Sequence, residues 1–128
     1  MKNPFKKYSK VFSENLFWIS IKKFARAMGV KVVYAALLLF YTYRRKDTPA
    51  WAKKIIIGVL GYFLSPIDAI PDLTPFVGYT DDLSMLAFAL SALAFYINKE
   101  VKENAYKTLQ KFFGKVNPEE LEVIHKRL

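Results

Sequence analysis

The sequence predicts an all-α fold, a small bundle of four to five helices around a central apolar helical hairpin joined by a Pro/Asp-rich loop. Apolar residues recur at helical spacing in the outer segments, as in Phe17, Ile21, Phe24 and Met28. Uncharged runs of 10 to 15 residues fill the middle and are bounded by capping and breaking residues. No β-type alternation, internal repeat or low-complexity tract appears between them.

The 128 residues suffice for one domain with a modest core. Apolar residues make up 53% and aromatic residues 16%, an excess held in a few blocks. Cysteine is absent and His125 is the single histidine, which excludes disulfides, thiolate metal sites and histidine clusters. No serine has a His/Asp relay, so no catalytic constellation is present and the chain reads as a non-enzyme. Net charge is +9, unevenly spread: residues 1–54 carry 13 Lys/Arg and 2 acids, residues 55–98 no base and 4 acids, and residues 99–128 7 Lys/Arg and 5 acids. Basic ends around an apolar, acidic middle suit an anionic lipid surface better than nucleic acid, whose binders gather their bases on one soluble face.

Residues 1–10 lack the apolar core of a signal peptide and read as a retained cytoplasmic terminus. Residues 11–28 form a first, amphipathic helix with Trp18 and Ile19 widening its apolar face and Lys22, Lys23 and Arg26 beside it. Two readings fit it: a helix lying in the headgroup region of a membrane, or one packed on its neighbours. Residues 30–43 form a second helix, uncharged for 12 residues from Val32 to Tyr43. A span needs roughly 20 residues, so this helix is buried or interfacial. Thr48 and Pro49 are expected as N-cap and first residue of a third helix, which Ser65-Pro66 ends. A fourth is expected from about Thr80–Asp82 to Phe113, uncharged from Leu83 to Ile97 and amphipathic after Asn98. Gly114 stops it, and Asn117-Pro118-Glu119-Glu120 opens a short last helix over 118–127.

Between the third and fourth helices, Ser65 to Leu83 holds three of the six prolines and four aspartates without a base. Structural work accounts for much of this. Ser65, Pro66 and Asp68 fit a capped helical turn, and Asp81 and Asp82 suit a helix N-terminus. Pro71 and Pro75 stiffen the connection, while Gly78 permits a positive-φ turn. A second reading is a hard-cation site in which Asp68, Asp72, Asp81 and Asp82 converge on Mg²⁺ or Ca²⁺, although the spacing is not that of an EF-hand. A third pairs acids with the chain's own bases, Asp47 or Asp68 with Lys53, Lys54 or an arginine near the third helix. Asp72 is the residue that capping leaves over.

The run Tyr62 to Leu83, Y-F-L-S-P-I-D-A-I-P-D-L-T-P-F-V-G-Y-T-D-D-L, resembles the signature of the YkvA-like family, a domain of unknown function. The resemblance rests on Tyr62, Ser65, Pro66, Asp68, Ile70, Pro71, Asp72, Pro75, Gly78, Asp81 and Asp82. Asp47 to Lys54 is similar to the family's upstream segment, and Ala69 departs from the larger aliphatic usual there. The resemblance covers about residues 32–98, leaving 1–28 as a basic N-terminal helix and 99–128 as an amphipathic C-terminal extension of one domain. It implies a small membrane-bound helical domain without known activity.

Positive-inside counting places Arg44 to Lys54 and Lys99 to Lys111 on one side. The expectation is a protein of the bacterial cytoplasmic membrane, with a transmembrane or re-entrant hairpin and both termini cytoplasmic. Its expected function is anchoring or assembly, with another membrane protein or a second copy as partner and no certain cofactor. The alternative is a divalent-cation or ion-transport element built on the aspartates.

Overall fold

The structure, a computed structural model, describes residues 12–69 and 79–126, with the side chains of 65–69 and 79–83 excepted. The chain is an all-α bundle of α1 (Glu14–Met28), α2 (Val30–Arg44), α3 (Ala50–Ala69), α4 (Tyr79–Ala92), α5 (Lys99–Phe113) and α6 (Glu122–His125). A 3₁₀ turn, Ala94–Tyr96, links α4 to α5, and another, Pro118–Leu121, precedes α6.

Ser13 caps α1 by accepting a hydrogen bond from the Leu16 amide at 3.0 Å. Gly29 ends α1 and starts α2 at φ 90°, ψ 162°. L side chains avoid that conformation, which is why this tight corner takes glycine. Gly114 ends α5 at φ 71°, as expected of a helix stop.

α2 is the centre of the bundle. It packs against α1, α3, α4 and α5, and every residue from Val32 to Phe40 is buried. A helix apolar all round needs neighbours all round. Phe17 of α1 stacks on Phe40 of α2 with ring centroids 4.5 Å apart and planes 8° from parallel, and Trp18 closes edge-on against Phe40 at 5.1 Å. Of the two readings of α1, packing on its neighbours is the one found: Phe17, Ile21, Ala25 and Met28 are buried in the common core.

Four expectations are corrected. No helix among the described residues is long and apolar enough to cross a membrane. The transmembrane hairpin, and with it the placement in a cytoplasmic membrane with both termini inside, therefore loses its basis. The apolar run of α2 is spent inside the bundle, and the 14 residues of α4 reach about 21 Å against a hydrocarbon core of about 30 Å.

The expected fourth helix is two. Ile97 leaves helical geometry at φ −95°, ψ 90°, and Asn98 then caps α5 by accepting from the Val101 amide at 2.9 Å. The change of character at Asn98 marks a new helix start, not a helix emerging from an apolar phase.

α3 runs through Ser65 and Pro66 to Ala69. Proline costs one backbone hydrogen bond but its φ is already helical, so near a helix end it can be carried rather than obeyed. Ser65 therefore does not open a new turn.

Thr48 faces backwards. Its buried hydroxyl donates to the Thr42 carbonyl at 2.7 Å, satisfying the end of α2, and α3 begins at Ala50.

Candidate functional site

Of the residues singled out in the sequence, Pro71, Asp72, Pro75 and Gly78 lie outside the described residues. Ser65, Pro66 and Asp68 fall on the last turns of α3, and Asp81 and Asp82 on the first turn of α4. Their side chains are not among those described, so the convergence of the four aspartates stays an expectation. Among the described residues, no group of three His, Cys, Asp or Glu side chains gathers to hold a metal ion. Asp47 accepts a charge-assisted hydrogen bond from Arg45 Nη2 at 2.7 Å, but its side chain is 75% exposed, which leaves the pair little energy. Lys53 is half-buried near the start of α3, and Lys54 is exposed.

Two surface features remain. The first is a polar cleft of about 540 Å³ where the end of α2 meets the start of α5, lined by Tyr41, Arg44, Arg45, Lys46, Asp47 and Asn98 among others. Most of its strong donors are engaged within the fold. Arg44 reaches Glu14 of α1 at 2.7 Å, the Tyr41 hydroxyl meets Thr108 Oγ1 at 2.6 Å, and Arg45 Nη1 donates to the Tyr96 carbonyl. The cleft is a joint: it ties α1, α5 and the α4–α5 break to the end of α2.

The second feature follows from that joint. With the Tyr96 backbone held by Arg45, the Tyr96 ring lies between two others. Trp51, at the start of α3, meets it edge-on at 5.8 Å, and Phe95 does so at 5.2 Å. Phe95 itself is 90% exposed, and Phe88, two turns back on α4, is 72% exposed. On α4, Ser84, Phe88 and Ser91 share one helical stripe with Ala92 beside it, and Phe95 follows in the 3₁₀ turn beyond the helix end; all five are exposed. No charged residue occurs from Leu83 to Asn98. An uncharged surface with two nearly bare phenylalanines, continued by Tyr96 and Trp51, is the one best suited to recognition among the described residues.

Periodicity alone could not find this stripe. The run from Leu83 to Ile97 is apolar on every side, and only Ser84 and Ser91 hint at which face is outward. The second missed signal is the end of α4 at Ala92, after which Phe95 stands in a 3₁₀ turn and not on a helix.

Compared with known proteins, residues 52–88 match the family described as "Protein of unknown function (DUF1232)". That stretch is well short of half the chain and covers α3, the connection and the first part of α4. The match supports a domain of unknown function there; it carries neither the YkvA-like label nor the 22-residue signature. No curated protein and no solved structure matches the chain.

Proposed function

We propose that this chain is a non-enzymatic helical module that assembles with a protein partner through the surface formed by Phe88 of α4 and Phe95 of the turn that follows it. The observation that supports it is the contrast in exposure. The three leucines and Phe40 of α2 are sealed within the bundle, while Phe88 and Phe95 stand in solvent on the same small fold. Large aromatic side chains desolvated at the centre of a contact supply much of the energy of protein recognition. The stripe's lack of charge means that covering it strands no ion.

The test places a photo-reactive amino acid at position 95 in the full chain, in its native cells, with the same probe at the exposed Val123 as control. A discrete protein adduct at position 95, absent at 123 and lost in Phe88→Asp, is the expected result. Equal adducts at both positions overturn the proposal. So does co-sedimentation with anionic lipid vesicles that Phe88→Asp abolishes, because the stripe would then serve a lipid surface.

A further inference from the structure

We infer that residues 115–126 form a strap that detaches from the bundle on its own, with the Tyr34–His125 hydrogen bond as a latch that mild acid opens. The strap begins where Gly114 ends α5. Three of its side chains enter the core, Val116, Leu121 and Ile124, while Glu119, Glu120, Glu122 and Val123 are exposed. Its two helical pieces, Pro118–Leu121 and Glu122–His125, are four residues each. The backbone hydrogen bonds of Glu120 and Lys126 stay within it. Two side chains tie it to the bundle. At the near end the Tyr106 hydroxyl of α5 donates to the Val116 carbonyl at 2.7 Å. At the far end Tyr34 of α2 meets His125 at 2.8 Å. A segment with few buried apolar groups and mostly local backbone bonds opens at less cost than the whole fold.

The latch is acid-sensitive by its chemistry. Nε2 of a neutral imidazole can accept the Tyr34 proton, whereas both nitrogens of an imidazolium are donors. Protonation therefore takes the acceptor away from a hydroxyl whose residue is 1% exposed. Among the described residues, Tyr34 of α2, Lys102 of α5 and Glu122 of α6 face the ring. Burial and then Lys102 disfavour the imidazolium, and Glu122 offsets them only in part. Once the strap lifts, the ring is back in water with its ordinary affinity for a proton. The open form thus holds the proton more tightly, and acid shifts the balance towards it. Opening uncovers the Tyr34 side of α2, an apolar surface that is closed at neutral pH.

The chain has no cysteine, so single cysteines at buried positions report opening by their reaction with a pyridyl disulfide. Each rate is divided by that of an unfolded peptide carrying the same cysteine at the same pH. Leu121→Cys on the strap is expected to react about tenfold or more faster than Val33→Cys in α2, although both positions are buried. Ile124→Cys, the second strap probe, is expected to behave as Leu121→Cys does. From pH 7.5 to pH 5.5 the normalised strap rate is expected to rise several-fold, with a ceiling of about tenfold set by one histidine. His125→Gln keeps an acceptor for Tyr34 but does not titrate, and it is expected to abolish the rise. Equal normalised rates on the strap and at position 33 overturn independent opening. A strap rate that does not rise in acid, or rises equally in His125→Gln, overturns the latch.

Discussion

The Tyr34 hydroxyl, in the middle of the bundle, lies 2.8 Å from Nε2 of His125, with the two rings edge to face at 5.6 Å. Tyr34 belongs to α2 and is 1% exposed; His125 closes α6 at the far end of the chain. This hydrogen bond fastens the C-terminal turn to the central helix. Burial pushes the tyrosine up to about 12. Burial first, and then the charge of Lys102 on α5, hold His125 below its ordinary 6.5, against the opposing pull of Glu122 on its own helix.

The sign of the pH effect follows. With the folded value below 6.5, the unfolded chain takes up a proton first, so stability is full above pH 6.5 and falls as pH drops through the folded value. The melting temperature is expected to decline from pH 7.5 to pH 5.5, and His125→Gln should flatten that decline. An unchanged slope in the variant would contradict the assignment.

The two partners should not cost the same. Tyr34→Phe leaves only the half-buried imidazole without its bond, a loss of about 1 kcal/mol, whereas His125→Ala strands a buried hydroxyl and costs about 1–3 kcal/mol. Urea denaturation of both variants decides the order.

Ser20 gives the opposite sign. It is 1% exposed on α1, and its hydroxyl has no hydrogen-bond partner among the described residues. Alanine removes a desolvated polar group and is the better helix former, so Ser20→Ala is expected to gain about 1 kcal/mol. A measured loss of stability would show that the hydroxyl is satisfied.

Gly29→Ala isolates backbone strain. A Cβ there would touch nothing within 4 Å, so no clash contributes. The conformation at φ 90°, ψ 162° is nevertheless one that alanine avoids, at a cost of about 1–3 kcal/mol. Chemical denaturation that shows less than half a unit of loss, about 0.5 kcal/mol, would place the strain elsewhere.

Asn98→Ala tests the break between α4 and α5. Losing this cap should cost about 0.5–2 kcal/mol, while Asn98→Asp should restore most of it. Equal losses in both variants would mean that the side chain holds the break in some other way.

Much of the bundle was legible because its signals are local. Gly114 and Asn117 each act within a turn of where they stand, and the stripe of Phe17, Ile21 and Met28 needs one helix only, whereas the Ser13 cap lay inside the helix expected over 11–28. The break at Asn98 was hidden by an uncharged run that reads equally well as one long helix. Tyr34 and His125 are 91 positions apart, and no local pattern joins them. The aspartates drew the eye because acid beside apolar sequence needs a reason, yet the bundle is organised around α2, whose uniform run of alanine, leucine and aromatic residues shows no preferred face.

That enclosure has a dynamic consequence. Lifting any one neighbour wets part of α2, so partial openings there are nearly as costly as losing the whole fold. Amide exchange along Val33 to Leu39 should therefore track global unfolding, while α4, with one side already in water, exchanges through cheaper local openings. The chain would then combine a slow, all-or-none interior with a faster outer helix, and contact could be made and broken on α4 without loosening what holds it in place.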